Sequence, residues 1–132
     1  MPIYTRSLAS LIFLAIASIQ TARADSATAV FAGGCFWCME SAYQEVAGVK
    51  DVVSGFTGGT LKNPTYKGNH EGHFEAIEVT YDPAVISYQD LLDLYWVNID
   101  PFDNRGQFCD KGFSYRSAIF TATAEQRQLA DA

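Results

Sequence analysis

The stretch Gly33-Gly34-Cys35-Phe36-Trp37-Cys38-Met39-Glu40 decides how the rest of this chain is read. Just before it, Thr28-Ala29-Val30-Phe31-Ala32 is short, apolar and partly β-branched, which predicts a strand over 28–32. After it, Phe36, Met39, Tyr43 and Val46 recur at i, i+3, i+7 and i+10, which predicts an amphipathic helix over 35–46. The paired glycines at the junction let the backbone turn sharply and leave its N–H groups open. Cys35 therefore stands at a helix N-terminus or one residue before it. There, unpaired N–H groups and the helix dipole favour a thiolate over a thiol. A free cysteine is more often a small buried hydrophobe. That reading leaves the Gly-Gly and Phe-Trp on either side of Cys35 without a purpose.

Outward from this stretch, Val49, Val52, Val53 and Phe56 read as a strand over 49–56. Residues 58–64 are turn chemistry, rich in Gly, Asn and Pro. Glu75 to Tyr81 alternates, with Glu75, Ile77, Val79 and Tyr81 on one face and Ala76, Glu78 and Thr80 on the other. Asp82-Pro83 ends that strand, and Ser87 with Asp90 three residues on reads as a helix N-cap. Leu91, Leu92, Leu94 and Tyr95 supply the apolar face of the helix that follows. A loop from Asp100-Pro101 to about Ser114, a strand over 117–123 and a helix from Ala124 complete the chain. The order β-α-β-β-α-β is that of an α+β, ferredoxin-like plait, one sheet with helices on one face. In that arrangement the first helix begins at one end of the sheet, within reach of loops 57–74 and 98–116.

With 132 residues, 48% hydrophobic and 14% aromatic, the chain fits one packed domain. Its net charge of -6 and only nine basic residues argue against nucleic acid or an anionic membrane as partner. Residues 1–24 read as a secretory signal: Arg6, an apolar run from Leu8 to Ile19, then Ala22-Arg23-Ala24. That run is too short to span a bilayer, which takes about 20 residues. Cleavage after Ala24 would leave a catalytic domain over 25–132, secreted or periplasmic and not held at a membrane. Three cysteines allow only one internal pair at a time, which points to redox work more than to a structural framework.

Gly-Cys-Phe-Trp resembles the active-site signature of the A-type peptide methionine sulfoxide reductases. The likeness continues in family order through Asn63-Pro64-Thr65-Tyr66, Gly72-His73-Phe74-Glu75-Ala76, Val79-Thr80-Tyr81-Asp82-Pro83 and Tyr115-Arg116-Ser117-Ala118-Ile119-Phe120. The resemblance implies the plait fold. It also implies thiol-dependent reduction of methionine S-sulfoxide, free or in proteins, which repairs oxidised proteins. No bound cofactor is expected. A dithiol donor of the thioredoxin kind would recycle the protein, which is expected to act as a monomer. Family members usually continue well past the position of Ala132, so the plait is expected to be truncated at its C-terminal part. The link Lys67-Gly68-Asn69-His70-Glu71 is shorter than the commonest family form, and Ser114 stands where Gln is frequent.

Reducing a sulfoxide takes a nucleophile at sulfur and proton donors for the departing oxygen. Cys35 is the expected nucleophile and Glu75 the expected acid, its pKa raised if aromatics enclose it. By the resemblance, Tyr66 and Tyr115 line the site and offer hydroxyls to the same oxygen, and Asp110 organises it. Phe36 and Trp37 fit an apolar pocket for the methionine methyl. Attack leaves Cys35 as a sulfenic acid, with which a second thiol must condense. Cys38, one turn on, and Cys109, in the loop beside Asp110, are the two candidates. His70 and His73 lack a third ligand at a recognisable spacing, so no metal is expected. Two other readings stand beside this one. Cys35-Phe36-Trp37-Cys38 could serve a general thiol–disulfide oxidoreductase, or hold one structural disulfide in a secreted binding module.

Overall fold

The computed structural model describes residues 26–132, so the expected signal over 1–24 lies outside the described residues. In chain order it contains β1 (Ala27–Gly33), α1 (Phe36–Tyr43), β2 (Val49–Thr57), β3 (Phe74–Tyr81) and α2 (Tyr88–Val97). Then come β4 (Gly106–Gln107), β5 (Asp110–Lys111), a 3-10 turn (Phe113–Tyr115), β6 (Ser117–Phe120) and α3 (Ala124–Ala130). Four strands form one sheet in the order β2-β3-β1-β6, every neighbouring pair antiparallel. β1 and β2 therefore run parallel with β3 inserted between them, and α1 is the crossover. This is the split β-α-β of the α+β plait read from the sequence.

Alternation along β3 decides what faces the helices. Ile77, Val79 and Tyr81 are buried in the core, and Glu75, two residues before Ile77, is carried inward on the same side. Phe31 at the centre of β1 is fully buried, with the rings of Tyr43, Tyr88 and Tyr95 stacked around it at 5.7, 6.1 and 5.3 Å. Two of those tyrosines also satisfy buried carbonyls. The Tyr43 hydroxyl donates to the Leu91 carbonyl at 3.0 Å, and the Tyr95 hydroxyl to the Ala32 carbonyl at 2.9 Å. The second bond ties α2 to the end of β1, three residues before Cys35. At the start of α2, Ser87 and Asp90 form a complete capping box.

Apart from strand ends that differ by one residue, the folded chain departs from the sequence reading in three places. α1 ends at Tyr43, short of Val46, because the chain closes into turns there, Val46 N–H to the Tyr43 carbonyl and Val49 N–H to the Val46 carbonyl. Gly48, at φ +93, then sits tight against Ile86. β6 stops at Phe120 instead of Thr123, since Thr123 is taken as the N-cap of α3 and accepts from Gln126 N–H at 3.1 Å. The stretch read as a plain loop after Asp100 contains the β4–β5 hairpin and the 3-10 turn. Strands of two residues are too short to show a period.

Candidate active site

Cys35 is the N-cap of α1. Its backbone is extended, at φ -58 and ψ 119, and its carbonyl accepts the N–H groups of Cys38 at 3.1 Å and Met39 at 3.2 Å. Its half-buried side chain makes no capping bond, which leaves the sulfur for other work. The first free amide of the helix, Phe36 N–H, donates to Glu75 Oε2 at 3.1 Å. A carboxyl from the middle of the sheet thus sits at the same helix end as the sulfur. Glu75 is 2% exposed. Burial pushes its pKa above the usual carboxylate range. The Phe36 bond and the nearby His70 pull it down, and the Asp110 charge adds to the rise.

Cys38 lies one helical turn on, with its side chain exposed. Its thiol is pushed above its ordinary pKa, first by a hydrogen bond with Cys35, then by burial, then by negative charge at Cys35, Asp110 and Glu75. Each of these influences favours the Cys38 thiol over its thiolate. Tyr115, in the 3-10 turn, is also pushed up, by burial first and then by Glu75, Asp110, Tyr66 and Cys35. Tyr115 is thus near enough to Glu75, Asp110, Tyr66 and Cys35, which lie far apart in sequence, for their charges to act on its hydroxyl. Cys35, Cys38 and Asp110 also share the lining of one cleft of about 240 Å³ with Asn98, Gln107 and Phe108.

An aromatic wall stands on the other side of the helix start. Phe36 and Trp37 have ring centroids 5.2 Å apart, Phe36 and Tyr66 5.9 Å, and Trp37 and Tyr66 5.0 Å. Trp37 and Tyr66 are about half exposed, whereas Phe36 is 5% exposed and belongs to the core. Phe36 thus packs beneath the helix and also backs the rings of Trp37 and Tyr66. Trp37 and Tyr66 present their rings to solvent beside the helix start.

Cys109 is placed differently. It is exposed, in the turn between β4 and β5, and does not line the cleft although Phe108 and Asp110 on either side do. The histidines serve the loops. His73 is buried, accepting from Gly59 N–H at 3.3 Å through Nδ1 and lying 3.0 Å from the Leu61 carbonyl through Nε2. His70 stacks on Phe56 at 4.8 Å and reaches the Thr65 carbonyl. Among the described residues no group of three His, Cys, Asp or Glu is placed to hold a metal ion. Gln107 was not singled out by sequence reasoning, because a lone Gln in a loop carries no periodic or motif signal. It is nevertheless, among the described residues, one of three buried polar side chains, with Glu75 and His73.

A family model described as peptide methionine sulfoxide reductase matches residues 27–132. Peptide methionine sulfoxide reductase MsrA 2 of Caulobacter vibrioides is 52% identical over 126 residues, covering 93% of this chain and 64% of the relative. Among solved structures, methionine sulfoxide reductase A of Corynebacterium diphtheriae matches with a TM-score of 0.73 at 32% identity, over 80% of this chain and 55% of that one. Mxr1 of Saccharomyces cerevisiae in reduced form matches with a TM-score of 0.71 at 26% identity, over 83% and 67%. The structure of Mxr1 in complex with Trx2 matches at 0.55 and 21% identity, a likeness of fold alone. The chain spans under two thirds of the length of the first curated relatives it matches, 64%, 59% and 62%.

Proposed function

From the premise that this chain belongs to the peptide methionine sulfoxide reductase family, we propose that it reduces methionine S-sulfoxide, free or in proteins, to methionine. The observation that carries this reading is the shared helix end: Cys35 as N-cap, with the buried Glu75 carboxyl bonded to the next amide. The Cys35 sulfur attacks the sulfoxide sulfur while the oxygen takes a proton from Glu75, steadied by the Tyr66 and Tyr115 hydroxyls. Trp37 and Tyr66, backed by Phe36, hold the methyl end. Asp110 faces the same groups and sets their charge balance. The products are methionine and Cys35 sulfenic acid, so two electrons have left the thiol. The Cys38 thiol then condenses with the sulfenic acid, releasing water and forming the Cys35–Cys38 disulfide. An external dithiol restores both thiols by exchange. A donor of the thioredoxin kind fits, and Mxr1 has been solved in complex with Trx2.

The test is turnover of a peptide containing methionine S-sulfoxide with dithiothreitol as donor, set against reduction of insulin disulfides. Sulfoxide reduction without matching insulin reduction is expected; the opposite would make the chain a thiol–disulfide exchanger. After one equivalent of sulfoxide and no reductant, peptide mass spectrometry should show Cys35 linked to Cys38 and Cys109 free. A Cys35–Cys109 link would give the resolving step to the hairpin, and a lasting sulfenic acid on Cys35 would give it to neither thiol.

We also propose that the protein is exported, on the strength of Arg6, the apolar run over 8–19 and Ala22-Arg23-Ala24. The expected mature chain begins at Asp25, and intact mass of the exported protein checks this. A product retaining Met1 would overturn it.

A further inference from the structure

Gln107 is 1% exposed, and its carboxamide is committed to backbone groups of its own loop. Oε1 accepts Asp100 N–H at 2.6 Å. Nε2 donates to the carbonyls of Asp100 at 2.9 Å and Gly106 at 2.8 Å, with a longer contact to Asp103 at 3.4 Å. The paired bonds to Asp100 replace what a neighbouring strand would provide, so one side chain closes the loop from Asp100 to Gln107. The aliphatic part of the same side chain presses on the residue before the nucleophile. A Cβ on Gly34 would stand 2.7 Å from Gln107 Cβ, and Gly34 has φ +92, so only glycine there permits the contact.

Gln107 also faces Asp110 across the β4–β5 register. Between them Phe108 has φ +49, a left-handed backbone that a bulky residue keeps only where its surroundings over-determine it. Phe108, Cys109 and Asp110 are all exposed, yet Phe108 and Asp110 line the cleft and Cys109 between them does not. We propose that Gln107 is a positioning residue that locks the Phe108–Asp110 turn as the fixed outer wall of the cleft. The lock holds Asp110 towards Cys35 and Glu75 and holds Cys109 off Cys35, so a sulfenic acid on Cys35 is left to Cys38. Its meaning for turnover rests on the reductase reading, but its test does not.

One equivalent of hydrogen peroxide is added to the reduced full chain. The Cys35 thiol becomes a sulfenic acid as peroxide is reduced to water, a second thiol condenses with loss of another water, and mass spectrometry maps the disulfide. The unaltered chain should link Cys35 to Cys38. In Gln107→Ala the share of links containing Cys109 should rise at least fivefold, with circular dichroism unchanged. Gln107→Glu should show the same rise at pH 8 and fall back towards the unaltered ratio at pH 5. A protonated carboxyl can again donate to the Asp100 carbonyl, and a carboxylate cannot; a side chain that merely fills space would give no such split. An unchanged Cys109 share in both folded variants would overturn the lock. Should neither variant fold, hydrogen exchange on the unaltered chain decides. The Asp100 amide should exchange at least tenfold more slowly than amides of residues 65–69, and equal rates would overturn the proposal. A chain that gives these disulfides yet reduces no sulfoxide would sink the reductase reading and leave the lock standing.

Discussion

Cys35→Ser should lose essentially all sulfoxide reduction while the protein folds as before. The loss is total because the proposed chemistry has no detour: a serine hydroxyl at the same N-cap is a far weaker nucleophile than sulfur and cannot give up two electrons as a thiol does in becoming a sulfenic acid. The fold should be spared because the Cys35 side chain is half-buried and makes no capping bond. Serine is itself a favoured N-cap, so a small gain in helix stability is the expected direction. The measurement is turnover of a sulfoxide peptide beside thermal unfolding. A variant that keeps a tenth of the activity would remove Cys35 from the reaction. One that unfolds far below the unaltered protein would recast Cys35 as a structural residue.

Much of this arrangement was legible because it repeats with a period or ends with a cap. Alternation in β3 put Glu75 on the same face as Ile77, Val79 and Tyr81, and that face proved to be the one under the helices. Two glycines before Cys35 located the helix start to within one residue, and the Ser87 to Asp90 spacing located the next. What stayed hidden was set by contacts distant in sequence. Nothing local says that Val46, still on the helical pattern, lies past the end of α1, because Gly48 is fitted against Ile86 from the distant turn between β3 and α2. Nor does a single Gln announce that its amide closes a loop, or a Phe-Cys-Asp run that its first and last residues line the cleft and its middle one does not. The ordered blocks of family likeness named Tyr66, Tyr115 and Asp110. Only the folded chain places them where Tyr115 feels the charges of Cys35, Glu75 and Asp110 together.

Glu75→Gln should lower the rate of sulfoxide reduction by about 10²-fold or more, the usual weight of a general acid. Gln keeps the shape and can still accept the Phe36 N–H, but it has no proton to give to the departing oxygen. The pH dependence separates this from a loss of packing. Burial is the largest influence on Glu75 and raises its pKa, outweighing the Phe36 bond and His70. The acid form therefore persists above the ordinary carboxylate range, and the part of the rate that depends on it should fall as pH rises through the raised value. The glutamine variant should lack that decline. Stability of the unaltered protein should fall in the same direction of pH. A carboxyl whose folded pKa is raised contributes stability that is fully present below its unfolded value and lost as pH rises through the folded one. From a starting value of 4.5 the unaltered protein should thus lose ground to the variant with rising pH, so that the variant melts no lower than its parent at pH 8. Melting curves at pH 4 and pH 8, with pH–rate profiles of both proteins, test the two halves together. An unchanged rate and profile would make Glu75 a helix-end anchor with no part in proton transfer. A variant distinctly less stable at pH 8 would mean that the carboxylate, charged and bonded to Phe36, stabilises the fold despite its burial.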